Sequence, residues 1–180
     1  MKRKALFLDR DGVINIDYGY VHKVKAFKFI EGIFELTRLA SSRDYVICVV
    51  TNQAGIARGY YSESDFKLLN NWMCNEFKLE GVTIDKVYYS PYHPVHGIGK
   101  YKKNHVTRKP ESGMFNQAIS DFNIDAQASI SIGDKVTDIQ AGYSAGIGKN
   151  LYLGVEDISN KKGIGNYLNI RHLNEACEHL

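Results

Sequence analysis

The chain has few cysteines, and they are badly placed for pairing. Cys48, Cys74 and Cys177 lie far apart, and no two share CxxC spacing. That excludes a disulfide framework and points to reduced thiols in a cytoplasmic protein. Excess charge is also lacking. The net charge is +3, with no sustained basic stripe, so nucleic acid is not an expected partner. No apolar run approaches the length that crosses a bilayer, so no membrane partner is expected either. Met1-Lys2-Arg3-Lys4 has the charge of a secretory n-region, but only the four apolar residues Ala5 to Leu8 follow before Asp9, too few for an apolar signal core. Internal repeats and low-complexity tracts are missing. At 180 residues, the expectation is one domain over 1–180 with a substantial core, acting as a monomer.

What is present begins with Ala5-Leu6-Phe7-Leu8-Asp9-Arg10-Asp11-Gly12-Val13. A short apolar run of this kind reads as a strand buried on both faces. Gly12 breaks it and permits a sharp turn. Residues i and i+2 of an extended chain share a side, so Asp9 and Asp11 start on one face at the strand's carboxyl end. Parallel sheets bind ligands there. Two carboxylates so close repel, and a divalent metal is the simplest counter-charge.

Strands and helices then alternate. Glu31 to Ser42 has apolar residues at Ile33, Phe34, Leu36 and Leu39, as a helix with one buried stripe requires. Tyr45 to Val50 reads as a second strand ending in Thr51-Asn52-Gln53, and Gly55 and Gly59 bracket a tight loop. Ser62 with Asp65 opens a helix in capping-box style, Phe66, Leu69, Trp72, Met73 and Phe77 give its core face, and Gly81 closes it. Lys86 to Tyr89 is a third strand, and a long loop runs from Ser90 to Pro110. Ser112 is expected to cap a helix to Phe122. Ala128 to Ile132 is a fourth strand ending in Gly133-Asp134, Val136 to Ala145 a helix, and Asn150 to Leu153 a fifth strand. The tail is weakly patterned, with a short terminal helix. The order predicts an α/β fold: a parallel sheet of about five strands with helices on both faces and no large cap domain.

The polar residues cluster at strand ends and helix starts: Asp9 and Asp11, Thr51 and Asn52, Asp134 with Lys135 and Asp138, and Lys109 before Pro110. The chemistry that wants this set is phosphoryl transfer through an aspartyl phosphate. Asp9 would attack phosphorus, and Asp11 would protonate the leaving oxygen and later activate water. Mg²⁺ would bridge Asp9, Asp134 and a phosphate oxygen. Thr51 and Lys109 would hold the other oxygens, with backbone N–H groups after Asp9 and Thr51 as a nest.

These motifs resemble the haloacid dehalogenase (HAD) superfamily of phosphatases, and within it the heptose bisphosphate phosphatases. The resemblance rests on Phe7-Leu8-Asp9-Arg10-Asp11-Gly12, Tyr18-Gly19-Tyr20-Val21-His22, Thr51 to Gly59, Arg108-Lys109-Pro110 and Gly133-Asp134-Lys135, and covers roughly residues 5 to 155. It implies a Rossmann-like HAD core. It implies Asp9 as nucleophile, Asp11 as acid/base, and Asp9, Asp11 and Asp134 around Mg²⁺. It implies Thr51 and Lys109 on the phosphoryl group, with Asn52, Gln53 and Ala54 nearby. Asp17, Tyr18, Gly19 and Tyr20 would line a sugar pocket, with Arg108 and Lys135 also at the substrate, a small sugar bisphosphate. A guanidinium at Arg108 suits a distal phosphate.

One departure stands out. The family commonly carries a zinc loop with three cysteines and one histidine. The matching positions here are Ser90, Tyr92, His105 and Thr107, without a thiolate, so structural zinc is not expected. His93, His96 and His105 read as loop residues, and Tyr89, Tyr92 and Tyr101 as a small apolar cluster in place of the metal. Lys100, Lys102 and Lys103 would attract an anionic substrate. Two related activities stay open on the motifs alone, hydrolysis of histidinol phosphate and of DNA 3′-phosphates. A non-catalytic phospho-acceptor domain is the rival from another class. Asp11, placed to release the phosphate again, argues against it.

Overall fold

A computed structural model describes residues 2–180. Its centre is β1 (Ala5–Leu8), whose four side chains are all buried. Alternation sends Leu6 and Leu8 to one face of the sheet and Ala5 and Phe7 to the other. Around it the strands β2 (Val46–Asn52), β3 (Lys86–Ser90), β4 (Ile130–Gly133), β5 (Lys149–Leu153) and β6 (Leu168–Ile170) form one sheet in the order β3-β2-β1-β4-β5-β6. Every pairing is parallel. Leu8 stands level with Val49 of β2 and Ile132 of β4, so Asp9 is flanked by Thr51, near the end of β2, and by Asp134, just past β4. The Asp9 N–H donates to the Ile132 carbonyl at 3.0 Å, extending the pairing to Asp9 itself.

Helices cover both faces, as a parallel sheet requires. On the Leu6/Leu8 side pack α1 (Ile33–Ser42), α3 (Glu63–Leu79) and α6 (Leu173–Ala176), through residues such as Leu36, Leu69, Met73 and Leu173. On the Ala5/Phe7 side pack α4 (Gly113–Phe122) and α5 (Val136–Ser144), through Met114, Phe115, Ala118 and Ala141. No inserted domain interrupts this order among the described residues. No described helix is long and apolar enough to cross a membrane.

Four expectations need correction. The sheet has six strands, not five: Leu168–Ile170 adds an edge beside β5 in the tail. The stretch read as a tight loop around Gly55 begins as a one-turn helix, α2 (Ala54–Ala57), and turns at Gly59. Ser112 stands at the start of α4, but its hydroxyl makes no cap and accepts instead from Asn116. The run from 90 to 110 contains a 3₁₀ turn at Gly99–Tyr101. The capping box of Ser62 and Asp65 at the start of α3 is present in full.

Candidate active site

At the carboxyl end of β1 the chain turns through Gly12, whose φ of +96° lies in the left-handed region that glycine alone enters without strain. Asp9 is buried, and its Oδ1 accepts from the Arg10 N–H at 2.8 Å. The Lys109 ammonium lies 3.0 Å from the same oxygen, 2.6 Å from Asp138 Oδ1 and 2.8 Å from the Val50 carbonyl. Three acceptors use all three of its hydrogens. Burial alone would lower the Lys109 ammonium, but Asp138 and Asp9 outweigh it and hold the group charged. For Asp9, burial outweighs Lys109 and raises the carboxyl.

Asn52 sets Lys109 in place. Its amide donates to the Lys109 carbonyl and accepts from the Lys109 N–H, both at 3.0 Å. This two-point clasp ties the end of β2 to the Arg108–Lys109–Pro110 segment. The expected nest is partly spent on the protein, since the Gln53 N–H donates to the Ser90 carbonyl and the Arg10 N–H to Asp9.

Asp9, Asp134 and Asp138 each bring a carboxylate oxygen within 4.8 Å of the others. Burial pushes the Asp134 carboxyl up to about 7, with Asp9 adding to the effect. Its Oδ1 is buried without a hydrogen-bond partner. An orphaned oxygen among crowded carboxylates is what a hard divalent cation relieves, and oxygen donors suit Mg²⁺. The carboxylate of Asp11, expected in this group, points elsewhere. It accepts from Arg10 Nη2 at 2.9 and 3.0 Å, Asn15 Nδ2 at 3.0 Å and Gln53 Nε2 at 3.1 Å. Asp138 takes the third place, though it is committed to Lys109 and to the Lys135 N–H.

In front of these groups opens a cavity of about 500 Å³. Of the expected residues, Asp9, Asp11, Asp17, Gly19, Tyr20, Thr51, Asn52, Gln53, Ala54, Arg108, Lys109 and Lys135 all line it. Tyr18 and Asp134 are not among its lining residues; the Tyr18 ring is exposed to solvent. Asp17 pairs with Lys135 at 3.0 Å and accepts from the Gly19 N–H. Burial would raise the Asp17 carboxyl, but these partners more than offset it and hold it low. Arg108 is anchored by donation from Nη1 to the Tyr92 carbonyl at 3.0 Å. Burial, with Arg58 nearby, lowers its guanidinium from the usual value. A larger cleft, about 770 Å³, lies around Lys2, Arg43 and Asp125, at the other end of the sheet and away from these groups.

The four positions that match the family's zinc ligands still converge. His105 Nδ1 and Thr107 Oγ1 are 2.8 Å apart, Thr107 Oγ1 donates to Ser90 Oγ at 3.2 Å, and the Tyr92 ring stacks on His105 at 4.1 Å. Tyr89 and Tyr101 gather nearby, packed against the Ile56, Tyr61 and Phe66 cluster with the Tyr89 ring 4.4 Å from Phe66, and both hydroxyls also donate to Glu63 at 2.6 Å.

Sequence reasoning passed over Arg10, Asn15, Tyr61 and Thr137. Tyr61 and Thr137 line the cavity, while Arg10 and Asn15 hold Asp11. A signal for Tyr61 existed. It directly precedes the Ser62 cap and packs with Phe66, the position a hydrophobic staple pairs it with.

The HAD-hydrolase-like family model matches residues 106–157. A D-glycero-alpha-D-manno-heptose-1,7-bisphosphate 7-phosphatase of Burkholderia mallei is 54% identical over 88% of this chain and 84% of its own length. A D-glycero-beta-D-manno-heptose-1,7-bisphosphate 7-phosphatase of Vibrio cholerae is 48% identical over 84% of this chain and 81% of its own. In fold, the chain is similar to the crystal structure of the D,D-heptose 1,7-bisphosphate phosphatase of B. bronchiseptica complexed with magnesium and phosphate. The TM-score is 0.84 at 22% identity, over 98% of this chain and 97% of the other.

Proposed function

Because the chain belongs to the HAD superfamily, in the family of heptose-1,7-bisphosphate 7-phosphatases, we propose that it removes the C7 phosphate of D-glycero-D-manno-heptose 1,7-bisphosphate and leaves the heptose 1-phosphate. It is a phosphoric monoester hydrolase. The observation that supports the reading is one cavity lined by Asp9, Asp11, Thr51 and Lys109 together with Arg108, groups for each of two phosphates.

Phosphoryl transfer needs positioning and charge neutralisation more than covalent chemistry. Asp9 attacks phosphorus as the bond from phosphorus to the C7 oxygen breaks, and Asp11 gives that oxygen its proton. Lys109 keeps Asp9 oriented, and Thr51 meets the phosphoryl oxygens. In the second half, water gives a proton to Asp11 and attacks phosphorus. The bond to Asp9 then breaks, freeing inorganic phosphate and restoring Asp9 as a carboxylate and Asp11 as an acid. Asp9 and Asp134 would hold Mg²⁺, which neutralises charge on the transferring group; the relative solved with magnesium and phosphate supports the choice. The Asp11 carboxylate is engaged by Arg10, Asn15 and Gln53, which leaves Asp9 and Asp134 as the carboxylates that would hold the ion. Arg108 reads the phosphate that stays, and the Asp17–Lys135 pair faces the sugar.

We further assign the enzyme to the synthesis of nucleotide-activated heptose, as a single-domain cytoplasmic monomer without nucleic acid or membrane partners and without structural zinc. The test is a substrate screen with Mg²⁺ of both heptose bisphosphate anomers, histidinol phosphate and a 3′-phosphorylated oligonucleotide. The heptose bisphosphates should be turned over far faster than the rest. Preference for either of the other two would overturn the assignment.

A further inference from the structure

Gln53 was expected at the substrate, yet its amide has nothing left to offer one. It is 1% exposed. Nε2 donates to Asp11 Oδ2 at 3.1 Å and to Thr51 Oγ1 at 2.9 Å, and Oε1 accepts from the Tyr61 hydroxyl. An amide has two hydrogens and an oxygen, so Gln53 is fully engaged, bridging the acid/base to the residue that meets the phosphoryl group.

Tyr61 decides how that amide lies. With the amide reversed, Oε1 would face the Asp11 carboxylate, acceptor against acceptor. A hydroxyl donor at Tyr61 rewards the orientation with NH₂ towards Asp11. Burial holds the Tyr61 hydroxyl protonated far above neutral pH, so the donor is always there. The ring has little freedom. A β-carbon on Gly55 would collide with it, Phe66 packs beside it, and His22 stacks on it at 4.9 Å and 10°. His22 closes the Asp17–His22 loop that lines the sugar end. A second tie runs from the same loop, because Arg10 Nη2 donates both to Asp11 and to the Val21 carbonyl at 2.6 Å.

We propose that Tyr61 is a positioning residue: through the Gln53 amide it holds Asp11 in line for proton transfer, and through His22 it ties that placement to the sugar-facing loop. The proposal rests on Asp11 being the acid/base of the reaction above.

Proton donation matters most when the leaving group is poor. A sugar alkoxide needs the proton, whereas p-nitrophenolate departs without it. kcat/KM covers only the steps up to that departure, so slow release of the aspartyl phosphate does not blur the comparison. Tyr61→Phe keeps the ring and its stack. It should lower kcat/KM for the heptose bisphosphate about tenfold, and for p-nitrophenyl phosphate no more than about twofold. Gln53→Met should show the same selectivity, and the double variant should be no worse than Gln53→Met, as residues acting along one line require. Parallel losses on both substrates would mean a merely structural role and overturn the proposal, as would no loss on either. Should Tyr61→Phe not fold, Gln53→Met carries the same two outcomes. Wild-type inactivity toward the heptose bisphosphate would count against the substrate reading instead. Glycerol 3-phosphate, another alkyl ester, then replaces it: a selective loss supports the positioning role, and parallel losses or none overturn it.

Discussion

Gly12 and Asp134 occupy adjoining space so tightly that a β-carbon on Gly12 would fall inside the Asp134 carboxylate. The turn after the nucleophile and the carboxylate from β4 are thereby fitted to each other. Gly12→Ala should displace Asp134 and weaken Mg²⁺ binding at least as much as it weakens the fold. The left-handed backbone adds roughly 1–2 kcal/mol of strain. Mg²⁺ titration by calorimetry, beside a thermal melt, checks this. Unchanged Mg²⁺ affinity would refute it.

Asp9→Asn should bring turnover to background while the protein stays folded. The amide keeps the shape but loses the nucleophile. Lys109 keeps Asp138 and the Val50 carbonyl as partners, so the fold retains its buried pair. Near wild-type activity in this variant would exclude the covalent route.

Mg²⁺ should stabilise the protein more at pH 8 than at pH 5. The Asp134 carboxyl sits at about 7 in the folded chain against an ordinary 3.8, so its contribution to metal-free stability is full below about 4 and is lost as pH rises through 7. Below 7 the metal must displace a proton; above 7 it meets a carboxylate already ionised and crowded. Melting temperatures with Mg²⁺ and with EDTA at both pH values give the comparison. A gain independent of pH would contradict it.

Arg108→Ala should harm hydrolysis of the bisphosphate more than that of a simple monoester. Losing a charge-assisted phosphate contact costs on the order of 1.5–3 kcal/mol. Equal losses in kcat/KM for the two would remove Arg108 from the distal phosphate.

Protein purified without a histidine tag should contain no stoichiometric zinc. Ser90 and Thr107 offer hydroxyls that hold their protons at neutral pH, and they are engaged with each other. Elemental analysis decides the matter, and one zinc per chain would show a rebuilt site.

The strand ends were legible because each joins an apolar run to polar residues at a fixed step, as in Leu8-Asp9 and Thr51-Asn52. Parallel pairing then brings them level whatever the loops do. Leu168–Ile170 was not legible, since two of its three residues are exposed and no alternation marks them. The destination of the Asp11 carboxylate was hidden for a different reason. Alternation places Asp9 and Asp11 on one side of an extended strand, but the chain leaves the strand after Leu8 and the turn sends Asp11 toward Arg10 and Gln53. Asp138 could be read as a helical turn beyond Asp134, but not its pairing with Lys109, which arrives from a distant loop.

The position of β1 has a consequence for how the chain is made. Being first in sequence and central in the sheet, it gains its β2 neighbour once synthesis has passed Asn52. Its other edge waits for Ile130–Gly133. Through all the intervening length the nascent chain carries an open, wholly apolar strand edge, the surface most prone to pairing with a stranger. The same delay means that no fragment ending before Asp134 has the carboxylates to work. On the roles proposed above, the strand that covers the second edge of β1 is also the one that brings Asp134 to the site.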